Sequence, residues 1–132
     1  MKIIIAGTRT FSDEVYLTQS VEKTLRENKI KNPIILSGMA KGPDLMGKKW
    51  AIANNYQVKE FPADWKNLNV ENCVIKSNQY GKYNALAGHN RNKQMGDEAD
   101  MLIAFWDGKS TGTKHMIEYM EKNKKTINIF YC

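Results

Sequence analysis

The sequence predicts an α/β fold, a five-stranded parallel sheet with helices on both faces, and three observations carry that reading. Short apolar runs alternate with helix-spaced patterns along the 132 residues, and strands joined by helical crossovers pair in parallel. The run Met101-Leu102-Ile103-Ala104-Phe105-Trp106 is apolar throughout, as in a strand buried on both faces. Glycine-bearing polar loops follow the first, second and fourth strands, the ends at which such sheets bind ligands.

Ile3 to Ala6 forms the first strand, closed by Gly7-Thr8-Arg9-Thr10-Phe11-Ser12. Ser12 or Asp13 can cap a helix whose buried stripe is Leu17, Val21 and Leu25. Asn32-Pro33 stops that unit, and Ile34-Ile35-Leu36 makes the second strand. Past Ser37-Gly38-Met39-Ala40-Lys41-Gly42, Pro43 fits a first helical turn, where its missing N–H is no loss. Met46, Trp50 and Ala53 are predicted to face inward from that helix. Asn54-Asn55 ends it, and Val58 to Phe61 gives a third strand. Asp64 to Ala87 has the weakest pattern, polar and rich in Asn, Lys and Tyr. An insert of that length, at about 66–87, is expected to be a lid, a binding loop or a disordered segment. Regular structure resumes with a helix from His89 to Asp97, then the apolar strand, then a helix with Met116, Ile117 and Met120 inward. Thr126 to Phe130 is the last strand.

Length and composition bound the function. One domain spanning 1–132 is expected at this size, with core enough to need no metal or disulfide staple. Met1 leads straight into Ile3-Ile4-Ile5, too short for the apolar part of a signal peptide. No apolar run nears the ~18 residues of a membrane span. Cys73 and Cys132 are too few and too scattered for a disulfide framework, which points to the cytoplasm. Neither stands at metal-ligand spacing from His89, so no metal site and no cofactor are expected. The net charge of +6 raises the question of nucleic acid. Lys48-Lys49 and Lys122 to Lys125 read instead as solvated helix faces, and no helix-turn-helix, zinc-finger or aromatic RNA-binding pattern occurs. Small anions are therefore the expected partners, and nucleic acid is not.

The chemistry gathers at the strand ends. Asp107 to Thr113 runs into a helical first turn, where free N–H groups and partial positive charge suit phosphate. Gly108-Lys109-Ser110-Thr111 imitates the tail of a P-loop, but the first glycine of that motif falls on Ile103, inside the strand. That removes nucleotide hydrolysis of the P-loop kind. Arg9, set between Thr8 and Thr10, favours phosphate over a surface carboxylate. Gly38 and Gly42 serve turn geometry, helix packing or the close approach of a ligand. Asp44 either caps its helix or holds a ribose hydroxyl. Trp65 and Trp106 fill core or stack a base, and His115 is a first-turn helix residue or a general base. Tyr80 and Tyr83 belong by default to a surface loop.

Five motifs in order then carry a resemblance. They are Gly7-Thr8-Arg9-Thr10-Phe11, Ser37-Gly38-x-Ala40-x-Gly42-x-Asp44, Phe61-Pro62-Ala63-Asp64-Trp65, Arg91-Asn92-x-x-Met95 and Phe105-Trp106-Asp107-Gly108-x-Ser110-x-Gly112-Thr113. Spanning nearly the whole chain, they resemble the YspA-type branch of the SLOG superfamily, relatives of the LOG (Lonely Guy) phosphoribohydrolases and of DprA. The stretch between Trp65 and Tyr80-Gly81-Lys82 looks like an insertion relative to compact members. The resemblance implies a Rossmann-like three-layer fold with strand order 3-2-1-4-5, assembled as a homo-oligomer. It also implies a site for a nucleotide-derived ligand, such as an NAD- or ADP-ribose-like molecule or a cyclic nucleotide signal. The implied site takes Gly7, Thr8, Arg9, Thr10 and Phe11 from the first loop, and Ser37, Gly38, Lys41, Gly42 and Asp44 from the second. Trp65, Asn90 and Arg91 join it, as do Trp106, Asp107, Ser110, Thr111, Gly112 and Thr113. Small members are similar to proteins encoded by phages and mobile elements, so the expected role is a sensor or sequestering protein in phage–bacteria conflict, including anti-defence.

LOG enzymes carry R-K-x-x-M on one helix and P-G-G-x-G-T-x-x-E at the last ligand loop. Arg91 matches the arginine, Asn92 replaces the lysine, Gly112-Thr113 match, and Met116 stands where the glutamate belongs. Cleaving an N-glycosidic bond develops oxocarbenium character that a carboxylate stabilises, or needs a base to activate water; methionine does neither. An N-glycosidase of this chain would therefore rest on rearranged roles, with His115 and Asp107 as candidates. Binding without cleavage is the leading expectation, hydrolysis the alternative, and DprA-like nucleic-acid binding the third.

Overall fold

Ile3, Ile4 and Ile5 expose no surface, which requires a strand covered on both faces. The computed structural model describes residues 1–63 and 87–132, and the backbone alone of 75–78 and 81–84. In chain order its elements are β1 (Lys2–Gly7), α1 (Glu14–Glu27), β2 (Ile34–Ser37), α2 (Pro43–Ala53), β3 (Gln57–Glu60), β4 (Ile75–Asn78), β5 (Gly81–Asn84), α3 (Ala87–Glu98), β6 (Met101–Trp106), α4 (Thr111–Lys122) and β7 (Thr126–Tyr131). The main sheet is parallel and runs β3-β2-β1-β6-β7, the predicted 3-2-1-4-5 order.

Side-chain alternation divides the core into two layers. Ile3 and Ile5 of β1, with Met101, Ile103 and Phe105 of β6, face α1 and α2. Ile4 and Ala6, with Leu102 and Ala104, face α3 and α4. On one side Leu17, Val21 and Leu25 form the buried stripe of α1; on the other Met116, Ile117 and Met120 form that of α4. This is a Rossmann-like three-layer arrangement.

Of the two candidate caps, Asp13 does the capping: its Oδ1 accepts the Tyr16 N–H at 3.0 Å. Asp13→Ala is expected to cost about 1 kcal/mol in a urea titration, whereas Ser12→Ala should leave stability unchanged.

Several expectations need correction. Ala53 is exposed, and α2 instead turns Gly47, Trp50 and Ala51 inward. A Cβ on Gly47 would stand 2.7 Å from Ile5 Cγ2, so glycine lets α2 lie against the sheet. The third strand begins one residue early, at Gln57, and is an edge with only Val58 partly covered. Within the insert, β4 and β5 form an antiparallel pair with Ile75 opposite Asn84 and Asn78 opposite Gly81. Asp64, Trp65, Cys73 and Tyr80 lie outside the described residues, as does the side chain of Tyr83. Among the described residues no helix is long and apolar enough to cross a membrane.

Candidate ligand site

β1 and β6 are neighbours, yet the helices that follow them pack on opposite faces of the sheet. Their connections diverge at the carboxyl end, where a cleft of about 360 Å³ opens. Gly7 and Arg9 line it from the β1 end, Ala40 and Asp44 from the β2–α2 turn, and Ser110 to Thr113 with Met116 from α4. The first turns of α3 complete it with Gly88, His89, Arg91 and Asn92. A second groove of about 360 Å³ shares Arg9, Ala40 and Arg91 and extends past Gly38, Met39 and Lys41 to Pro62 and Ala63.

The charged centre of the cleft is a buried carboxylate facing a half-buried guanidinium. Asp44 is 5% exposed. Burial raises its carboxyl to about 6, against the pull of the Arg91 charge and of backbone N–H groups at Ala40, Gly7 and Asp44 itself. Burial also lowers the pKa of Arg91, with Asp44 opposing that shift and Arg9 adding to it. Arg91 Nη1 donates to the Gly38 carbonyl, and its Nε donates to Asn92 Oδ1 at 3.0 Å.

Gly38 is a glycine because the pair converges on it. A Cβ there would lie 2.5 Å from Arg91 Nη1 and 2.6 Å from Asp44 Oδ2. The turn itself is held by Ser37, whose Oγ donates to the Asp44 carbonyl at 2.9 Å and accepts from the Met39 N–H at 3.2 Å. Met39 adopts a left-handed φ of 63°, a conformation that costs a non-glycine residue about 1 kcal/mol and gathers at functional sites.

The α4 side supplies donors. Ser110 is the N-cap but makes no side-chain cap bond, so the N–H groups of Thr111, Gly112 and Thr113 lack intrahelical partners. Asp107 shapes the preceding loop: its Oδ1 accepts the Lys109 and Ser110 N–H groups at 2.8 Å each. Those two bonds hold its carboxyl below the usual range. Thr8 Oγ1 accepts the Asp107 N–H at 3.1 Å, and Trp106 Nε1 donates to the Ser110 carbonyl at 3.0 Å. The loop is thus fixed from three sides before any ligand arrives.

The predicted residues therefore separate. Gly7, Arg9, Asp44, Arg91, Ser110, Thr111, Gly112 and Thr113 line the cleft, and Gly38 and Lys41 line the adjoining groove. Thr8, Phe11, Ser37, Gly42 and Trp106 stand behind these as supports; Phe11, for one, is buried with its ring 5.2 Å from that of Phe105. Thr10 and Asp107 face a different groove, with Tyr16 and Cys132. Asn90 is half-buried and lines neither cavity. His115 lies outside the cleft lining too, beside Lys93 and Glu118. Met116, at the position where the LOG motif has glutamate, does reach the cleft, and Asp44 is the one carboxylate among the described lining residues. Among the described residues no cluster of three or more His, Cys, Asp or Glu could hold a metal ion.

Gly88, His89 and Asn92 went unassigned in the sequence. Helical phase was the available signal: Gly88 with Arg91, and His89 with Asn92, are three residues apart on α3 and share a face.

Fold and cleft together define a Rossmann-like α/β protein with a polar, charged cleft at its topological switch point. The sequence matches the YspA, cpYpsA-related SLOG family over residues 1–68, and the chain belongs to that family. No curated protein matches the sequence. Among solved structures the chain is similar to DNA processing protein A (DprA) from Streptococcus pneumoniae, with a TM-score of 0.68 and 18% identity. That likeness covers 97% of this chain and 49% of the other, so the chain spans about half the length of DprA, and at such identity the likeness is one of fold.

Proposed function

We propose that the chain binds a nucleotide-derived small molecule of the NAD, ADP-ribose or cyclic-nucleotide type in the switch-point cleft, as a sensor or sequestering protein. One observation carries this reading: a buried carboxylate and a half-buried guanidinium are held beside an uncapped helix N-terminus in a single cleft. Phosphate oxygens would accept from Arg9 and from the free N–H groups of α4, with Arg91 adding positive charge. Asp44 would accept from ribose hydroxyls. Homo-oligomer formation and a role in phage–bacteria conflict belong to the same proposal and rest on the family.

Binding is favoured over cleavage because Met116 occupies the position where a catalytic carboxylate would serve an oxocarbenium ion. Calorimetry with ADP-ribose, NAD and AMP tests the reading, and chromatography of the same mixtures tests for released base. Binding with intact ligand recovered is the expected result. Free base would put hydrolysis in its place, with Asp44, the one carboxylate among the described lining residues, the first to replace. No response to any nucleotide would end both readings. Arg9 is exposed, so Arg9→Ala should leave folding intact while weakening nucleotide binding about tenfold or more, as expected for a charge-assisted contact. The loss should shrink in high salt.

A second reading draws on the net charge of +6 and on a fold neighbour named for DNA processing. Salt-sensitive retention of single-stranded DNA without any nucleotide response would favour it.

A further inference from the structure

We infer that His89, backed by His115, is the surface on which the base of the bound nucleotide stacks, which makes the cleft selective for base-bearing nucleotides over sugar phosphates. This rests on the nucleotide reading and adds the element that reading lacks. A nucleotide has an anionic end and a flat aromatic end, and the cleft so far accounts for the first alone. Trp106, a candidate for the second, is turned away: its ring N–H is bound to the Ser110 carbonyl and its ring centroid lies 6.1 Å from that of Tyr131. Among the described lining residues of the cleft, His89 carries the one aromatic ring.

That ring is placed rather than loose. His89 and His115 stack with centroids 4.0 Å apart and planes 12° from parallel, joining the first turn of α3 to the second turn of α4. One face of His89 is thereby covered, while the residue as a whole stays exposed at the cleft. His115 is itself fixed by Asn92. An amide nitrogen only donates, so with Asn92 Nδ2 at 3.2 Å the His115 Nδ1 accepts, and the neutral ring carries its proton on Nε2. Burial, His89 and Lys93 lower the His115 pKa, with Glu118 opposing, which favours that neutral form.

Asn92 also ties this platform to the anionic end. Its Nδ2 lies 3.2 Å from the Gly112 carbonyl, and its Oδ1 accepts from Arg91 Nε. One buried amide therefore sets the distance between the stacking ring and the phosphate-binding turn. The stacked imidazole pair presents a π-face that any base can use, as aromatic platforms do for single-stranded nucleic acids.

Calorimetry of the full chain at pH 8 with AMP and with ribose 5-phosphate tests the inference. The wild type should bind AMP about tenfold more tightly than ribose 5-phosphate. His89→Ala should remove most of that advantage and leave ribose 5-phosphate unchanged, while His89→Phe, which keeps a flat ring, should retain it. An AMP advantage that survives in His89→Ala, or an equal loss for both ligands, would overturn the inference. So would equal binding of the two ligands by the wild type, although the phosphate site would then stand. Binding of neither ligand by the folded wild type would also overturn the inference, and a lack of response to ADP-ribose and NAD as well would remove the nucleotide reading with it.

Discussion

Asp44→Asn is expected to stabilise the protein at pH 8 by up to about 3 kcal/mol and to flatten its stability across the acid range. The unfolded carboxyl ionises near its ordinary 3.8 and the folded one at about 6. Between those values the folded state holds a proton that the unfolded state has lost, so stability falls as pH rises through the window. The shift from 3.8 to about 6, at about 1.4 kcal/mol per unit, gives the figure above as an upper value. Asparagine keeps the shape of the neutral acid, leaves an oxygen for the backbone N–H groups around it, and never ionises. Urea titrations from pH 4 to 8 on both proteins isolate this group, because every other titrating residue is common to them. Curves that stay parallel through pH 4–6 would show that the carboxyl is not held up by burial. The same variant should bind nucleotide more weakly, since the amide replaces a charged acceptor for ribose hydroxyls. A residue that destabilises the fold while serving its cleft is the signature expected of a functional group.

The sequence made the periodic parts legible and the phases at their ends less so. Leu17, Val21 and Leu25 mark α1 because each is large, apolar and one helical turn from the next. The unbroken run of β6 similarly announces a central strand, and the crossover pattern then leaves few topologies. The α2 face departs from its apolar spacing for a definite reason. Gly47 lies tight against Ile5 of the sheet but contributes no hydrophobic signal, so apolar spacing groups Trp50 with Ala53 rather than with Gly47 and Ala51. Strands β4 and β5 are not legible in the sequence because Ile75-Lys76-Ser77-Asn78 shows one apolar residue and no alternation. The cleft-lining glycines, hydroxyls and Arg9 were legible from their place after strands. Which way an aromatic turns was legible only in part. Trp106 shares its strand face with Leu102 and Ala104, so period-two alternation already placed it beneath α4. Phe11 sits in a loop, where no period exists to assign it inward.

Phe105→Ala is expected to have the largest effect on stability, about 3–5 kcal/mol, as for other buried aromatic truncations. The ring has no exposed surface. It is stacked 5.2 Å from Phe11 and 5.5 Å from Phe130, and Tyr16 meets it edge-on at 5.8 Å. A chain of this size should lose at least about 10 °C in melting temperature, whereas Phe105→Leu, which fills more of the space, should lose clearly less. The consequence reaches the cleft because Phe105 joins β6 to the loop after β1 twice. Its carbonyl accepts the Thr8 N–H at 2.9 Å, and its ring holds Phe11, three residues further on. Arg9 lies between those two anchors. Removing the ring should therefore weaken nucleotide binding in the protein that remains folded, measured at low temperature, while the backbone anchor persists. A double-mutant cycle with Phe11→Ala and Phe105→Ala should give a coupling of about 1 kcal/mol in stability, the value typical of an aromatic pair. Strict additivity would mean that the Thr8 hydrogen bond alone fixes the loop, and that the stacked ring fills core without positioning Arg9.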